Sequence, residues 1–123
     1  MKKTHLNIED IFNIPTAVIY NPDMFKSIYH FSIDSRNIKN NTLFIAIKGE
    51  RFNGHDFIEQ VVKNGAAAII INEKYLKKIG DYVIPVITVK DTVVALGEIA
   101  KLWRAKLKTE VIGITGSAGK TTT

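Results

Sequence analysis

Ala66-Ala67-Ala68-Ile69-Ile70-Ile71 is apolar at every position. Successive strand side chains point to opposite faces, so a strand with one solvated face alternates apolar and polar residues, and a run without polar alternates has both faces covered. That is the pattern of a parallel strand inside an α/β layer. Just upstream, Phe57, Ile58, Val61 and Val62 recur at helical spacing over residues 55–64, and Gly65 follows where a helix would be capped. A helix leading directly into a two-sided strand gives an α/β fold: a small mixed sheet with flanking helices and this strand near its middle.

Working outward, residues 73–79 read as a short helix ended by Gly80, and residues 86–89 as another strand. Asp91 then caps a long helix reaching about Leu107, with Val93, Leu96, Ile99, Ala100, Trp103 and Leu107 on one face. Trp103 on that face belongs to the core and not to a stacking platform. Toward the N-terminus, Asn7 precedes Ile8, Ile11 and Phe12 as the cap of a short helix ended near Pro15. Residues 17–20, 27–33 and 42–47 are β-branched and aromatic and read as strands. No internal repeat or low-complexity segment occurs.

At 123 residues and 46% hydrophobic composition the chain is large enough for a real core. No apolar run is long enough to span a bilayer and no signal-peptide core is present, so a cytoplasmic protein without membrane insertion is expected. The absence of cysteine excludes disulfides and thiolate metal sites. His5, His30 and His55 have no metal-ligand spacing. The net charge of +5 is spread in pairs, with no basic stretch interleaved with aromatics, so a small anionic substrate accounts for it better than a nucleic acid. A monomer is expected.

Two constellations carry chemistry. The first is Gly113-Ile114-Thr115-Gly116-Ser117-Ala118-Gly119-Lys120-Thr121-Thr122-Thr123. Residues 110–114 read as a strand, and the glycines after it let backbone N–H groups approach phosphate oxygens, with Lys120 for the β/γ-phosphates and Thr121 for a magnesium ion. This is a phosphate-binding loop for ATP, although the usual pattern has glycine where this chain has Ile114. Its candidate residues are Thr115, Gly116, Ser117, Ala118, Gly119, Lys120, Thr121 and Thr122. Such a loop works through the N-terminus of a following helix, which this sequence does not include. The expected division is a front domain over residues 1–108 and the start of a nucleotide-binding domain over 109–123, with no catalytic residue and no activity in this chain alone.

The second constellation is Ile33-Asp34-Ser35-Arg36 followed by Lys48-Gly49-Glu50-Arg51-Phe52-Asn53-Gly54-His55-Asp56-Phe57. A hydroxyl, a carboxylate and a guanidinium at one turn can read the polar edge of a base or ribose. A local Asp34–Arg36 pair with Ser35 as a turn residue accounts for the triplet as well. Likewise 49–54 can be an ordinary polar loop and His55 an N-terminal helix residue.

Taken together, Asp34-Ser35-Arg36, Leu43-Phe44-Ile45-Ala46, the 48–52 loop, Gly54-His55-Asp56-Phe57 and Gly65-Ala66 resemble the N-terminal domain of the Mur ligases, and Thr115 to Thr121 is similar to that family's ATP loop. The resemblance covers the chain from about Ile8 to Thr123. It implies an ATP- and Mg2+-dependent ligase that extends the UDP-N-acetylmuramoyl peptide of the bacterial cell wall through an acyl phosphate. Within the family, the 48–57 segment most resembles members that add D-alanyl-D-alanine to the tripeptide. Members that add the third amino acid are the alternative, and a binding-only uridine-nucleotide module is a second. Carried onto this chain, the resemblance implies that Ile33, Ser35, Arg36, Gly49, Glu50, Arg51, Phe52, Asn53, Gly54 and His55 hold the uridine-diphosphate end of the substrate. The family often has glycine before the Leu-Phe strand. Asn41 stands there instead, and asparagine tolerates the left-handed conformation such a turn needs.

Overall fold

The computed structural model of the protein describes residues 4–80 and 82–115. Five strands form one mixed sheet: β1 (Val18–Tyr20), β2 (His30–Ser32), β3 (Thr42–Ile45), β4 (Ala68–Asn72) and β5 (Val86–Val89). Their order is β1-β5-β4-β3-β2, so the two-sided strand β4 lies at the centre, as its composition requires. Strands β2 to β5 run parallel to their neighbours and β1 closes one edge antiparallel to β5.

The alternation of side chains sorts the core into two layers. Leu43, Ile45, Ala68, Ile70, Ile87 and Val89 face α1 (Ile8–Phe12) and α3 (Thr92–Thr115), packing with Ile11, Ala95 and Ile99. Phe44, Ala46, Ile69, Ile71 and Val86 face α2 (Ile58–Lys63), packing with Ile58 and Val61. Ile69, Ile70 and Ile71 are completely buried.

Local signals set several element ends. The Asn7 N–H donates to Asp10 Oδ2 at 2.7 Å, one half of a capping box at the start of α1. Asp10 also meets Lys106 Nζ at 3.2 Å, tying α1 to α3. Gly65 follows α2 at φ +101°, a conformation that costs an L side chain energy. Asn41 adopts φ +63°, and its side-chain amide donates to the Ser27 carbonyl at 3.1 Å. The asparagine thus supplies both the left-handed turn and a hydrogen bond that glycine would not.

Elsewhere the structure departs from the sequence reading. The 27–33 strand is shorter, because Ile28 pairs with Leu6 in an isolated bridge and only His30–Ser32 joins β3. The helix expected over 73–79 is reduced to a 3₁₀ turn, Glu73–Tyr75, followed by irregular turns. Isolated short helices are marginal, and here Tyr75, Leu76, Ile79, Tyr82 and Ile84 all pack on the α2-side core, so tertiary contact overrides helical period. In α3 the buried face is centred on Ala95 and Ile99, with Leu96, Leu102 and Trp103 beside it, while Val93 and Leu107 are exposed. Trp103 packs against Phe31 with ring centroids 5.4 Å apart, as a core residue.

The strand expected over residues 110–114 is instead helical, since α3 continues through Thr115. A strand satisfies its backbone only through a neighbouring strand, and the described five-stranded sheet does not include this stretch, whereas a helix satisfies its own. Residues 116–122 of the expected phosphate loop lie outside the described residues. Among the described residues no helix is long and apolar enough to cross a membrane.

Candidate functional site

The carboxyl ends of β2 and β3 carry two loops that enclose a cleft. After β2 the chain turns sharply: Asn37 N–H donates to the Asp34 carbonyl at 3.0 Å, and Asp34 N–H to Ser32 Oγ at 3.0 Å. Asp34 Oδ1 accepts from the Arg36 N–H at 2.9 Å and from Arg36 Nε at 3.1 Å, and Oδ2 accepts from Nη2 at 3.2 Å. These bonds from Arg36, side chain first, hold the Asp34 carboxyl below its usual range. The local pair that the triplet permits is therefore formed. It uses Asp34 to shape the turn and leaves the Ser35 hydroxyl with no hydrogen-bond partner among the described residues.

After β3 the chain makes a tight hairpin. Lys48 bridges Asn53 antiparallel, Gly49 N–H donates to the Phe52 carbonyl at 2.9 Å, and Gly54 N–H donates to the Ile47 carbonyl at 2.9 Å. Position 54 has to be glycine because the strands approach too closely for a side chain. A Cβ there would lie 2.9 Å from Ile47 N and 3.1 Å from Ala46 Cα. Glu50 and Arg51 occupy the exposed tip.

Between turn and hairpin lies a cleft of about 750 Å³. Ile33, Ser35 and Arg36 line it from the turn, Gly49, Phe52 and Gly54 from the hairpin, Phe44 and Ile47 from β3 and its extension, and Phe57 and Gln60 from the α2 side. Phe44 is fully buried, whereas Ile33 and Phe52 are 51% and 65% exposed. Phe52 meets Phe57 edge-on at 6.2 Å. Two large apolar side chains held in water beside an apolar floor, with a hydroxyl, a guanidinium and an amide nearby, suit a flat heterocycle whose faces are apolar and whose edge is polar. Open clefts at the carboxyl ends of parallel strands are a common place for such ligands in α/β sheets.

Six expected residues, Ile33, Ser35, Arg36, Gly49, Phe52 and Gly54, thus come together from two segments. Glu50, Arg51, Asn53 and His55 do not line the cleft. Asp34, the carboxylate of the polar turn, lines the cleft too, as do Phe44 and Phe57, which lie within the quoted motifs without being assigned to the site, and Ile47 and Gln60, which no motif marks.

His55 lies behind the hairpin, away from the cleft lining. Its Nε2 accepts the Asn72 N–H at the end of β4 at 3.0 Å, and its Nδ1 lies 2.6 Å from Asn53 Oδ1. The ring stacks on Tyr75, centroids 3.9 Å apart. Accepting at Nε2 fixes the proton on Nδ1, so the ring is neutral. Burial pushes its pKa down to about 4, with Lys74 and Lys48 adding to the effect and Asp56 opposing it. The ring is thus engaged on both nitrogens and one face by the scaffold. Among the described residues no group of three or more His, Cys, Asp or Glu could hold a metal ion.

The fold and the cleft define an α/β domain with a ligand site at its strand ends, and the matching family is specific. A model described as Mur ligase family, catalytic domain, covers residues 27–104, and the chain belongs to the Mur ligase family. The UDP-N-acetylmuramoyl-tripeptide--D-alanyl-D-alanine ligase of Bacillus subtilis is 38% identical over 124 residues, spanning 100% of this chain and 26% of that protein. A UDP-N-acetylmuramoyl-L-alanyl-D-glutamate--2,6-diaminopimelate ligase of Clostridium acetobutylicum is 39% identical over 102 residues, 81% of this chain and 21% of that protein. A crystal structure of MurF from Acinetobacter baumannii superposes with a TM-score of 0.64 at 28% identity, covering 76% of this chain and 20% of that one. The chain therefore spans about a quarter or less of the length of these relatives.

Proposed function

We propose that this chain is the substrate-anchoring front portion of an ATP-dependent ligase that adds D-alanyl-D-alanine to UDP-N-acetylmuramoyl-tripeptide, and that its cleft holds the uridine end of that substrate. The observation that carries this reading is the convergence of Ile33, Ser35 and Arg36 with Gly49, Phe52 and Gly54 around one apolar-floored cleft. Ile33 and Phe52 present apolar walls to the base, and the free Ser35 hydroxyl offers one donor and acceptor to its edge or to the ribose. Anchoring the remote end of a long substrate positions its reactive carboxylate, so binding energy gained here lowers the barrier elsewhere.

Residues 115–122 are the proposed ATP site, on the strength of their sequence: Lys120 neutralises the β/γ-phosphates, Thr121 ligates Mg2+, and residues 116–119 supply backbone N–H groups. ATP would furnish the phosphoryl group that activates the peptide carboxylate. By this reading the protein works in the cytoplasm as a monomer on small molecules, and residues 109–123 begin its second domain.

Addition of a single third amino acid is the second reading, favoured by the diaminopimelate-adding relative at 39% identity. Assay of the full-length ligase with D-alanyl-D-alanine and with single diamino acids separates the two. Titration of the chain with UDP tests the site: shifts at Ile33 to Arg36 and in the hairpin are expected, and shifts confined to other surfaces would refute it.

A further inference from the structure

The hairpin that forms one wall of the cleft is fastened from behind by side chains that never enter it. Asn53 Oδ1 accepts the His55 backbone N–H at 3.0 Å and faces His55 Nδ1, while Asn53 Nδ2 donates to the Tyr75 hydroxyl at 2.8 Å. His55 Nε2 takes the Asn72 N–H at 3.0 Å, and Asn72 Oδ1 accepts from Lys74 N–H at 3.0 Å at the start of the 3₁₀ turn that presents Tyr75. Asn72 Nδ2 reaches the Lys90 carbonyl at 3.1 Å, beyond the end of β5. Asn53, His55, Asn72 and Tyr75 thus link the hairpin to the ends of β4 and β5, and every polar atom named is used.

Asn53 and His55 flank Gly54, whose N–H closes the hairpin and which itself lines the cleft. The hairpin has few other anchors, for Phe52 is 65% exposed and residues 50–51 are solvated. A segment with little buried apolar surface is held by its hydrogen bonds or moves.

We infer that Asn53, His55 and Tyr75 are positioning residues: they clamp the 48–54 hairpin to the end of β4 and thereby fix the wall of the cleft that the uridine end of the substrate meets. The inference rests on the functional reading above, and deepens it by assigning affinity for the nucleotide to a residue 20 or so positions away that does not touch it. Tyr75 is the informative member, since Tyr75→Phe keeps the ring against His55 and removes only the oxygen that accepts from Asn53 Nδ2. A wall held in one geometry binds without a further ordering cost, and a loosened one does not.

The test compares the 123-residue chain with Tyr75→Phe, His55→Gln and Ser35→Ala by amide hydrogen exchange, thermal midpoint and UDP titration. Tyr75→Phe is expected to speed exchange at the Gly49 and Gly54 amides about tenfold, leave the core strands β3 and β4 protected, and weaken UDP about three- to tenfold. Ser35→Ala should weaken UDP with no change at those amides. His55→Gln, which retains a donor and an acceptor, should fall between wild type and Tyr75→Phe. Unchanged exchange at Gly49 and Gly54 in Tyr75→Phe overturns the clamp, and faster exchange with unaltered UDP affinity overturns its role in binding. Should wild type bind no UDP while the Tyr75→Phe hairpin loosens, the clamp stands and the uridine assignment is what fails.

Discussion

His55 and Tyr75 lie face to face, ring centroids 3.9 Å apart and planes 16° from parallel, although 20 residues of chain and a whole α-β unit separate them. The stack closes a loop of hydrogen bonds through Asn53 and Asn72 that needs His55 neutral: a protonated Nε2 would point a hydrogen at the Asn72 N–H. Lys74 and Lys78 place their Nζ atoms 5.7 and 5.5 Å from the Tyr75 ring centroid.

The pH dependence of stability follows. His55 titrates at about 4 when folded and near 6.5 when unfolded, so between those values the unfolded chain binds more protons. Its contribution is complete above 6.5 and is lost as pH falls toward 4. Urea unfolding at pH 7, 6 and 5 should show stability falling with acid by up to about 1.4 kcal/mol per pH unit more in wild type than in His55→Gln. Parallel pH profiles for the two would show that His55 does not carry the effect.

Gly54→Ala should destabilise the chain by about 1–3 kcal/mol, because the new methyl meets backbone atoms of Ala46 and Ile47 that have no rotamer in which to retreat. Gly97→Ala is the contrasting case. Position 97 is exposed in α3 with nothing within 4 Å of its Cβ, so alanine should stabilise by about 0.5–1 kcal/mol. Thermal midpoints moving in opposite directions check both.

Ile70→Ala removes a fully buried side chain from the central strand, where it packs between α1 and α3, and should cost about 2–5 kcal/mol. Ile33→Ala, at a half-exposed position on the cleft, should cost less than about 1 kcal/mol of stability while weakening UDP. Chemical denaturation and UDP titration on the same two variants separate packing from binding.

On the function proposed above, Ser35→Ala in the full-length protein is expected to raise KM for the UDP-muramoyl substrate and leave KM for ATP nearly unchanged. One neutral hydrogen bond amounts to about 0.5–1.5 kcal/mol, roughly a few-fold to tenfold in affinity. Equal effects on both substrates in steady-state kinetics would remove Ser35 from the uridine site.

Much of this architecture is legible without coordinates. The unbroken apolar run at 66–71 places β4 between two covered faces, Gly65 marks the end of α2, and Asn41 announces a left-handed turn that the backbone adopts at φ +63°. Each of these is a local statement: whether a face is covered, or whether a residue tolerates positive φ, depends on that residue and its near neighbours. The sequence by itself therefore determined the α/β layer, its central strand, and the two segments that meet in the cleft.

Tertiary structure alone decided what those segments turn toward. His55 sits within a motif that reads as ligand-binding, yet it bonds to Asn72, 17 residues on, because the ends of β3 and β4 lie side by side in parallel register. Gln60 and Phe44 reach the cleft because α2 packs across the face of the sheet on which Phe44 points. Residues 110–114, β-branched in composition, continue α3 because a strand needs a partner and a helix does not. Register and crossing are set by many weak contacts summed over the folded chain, and no periodicity in the sequence encodes them.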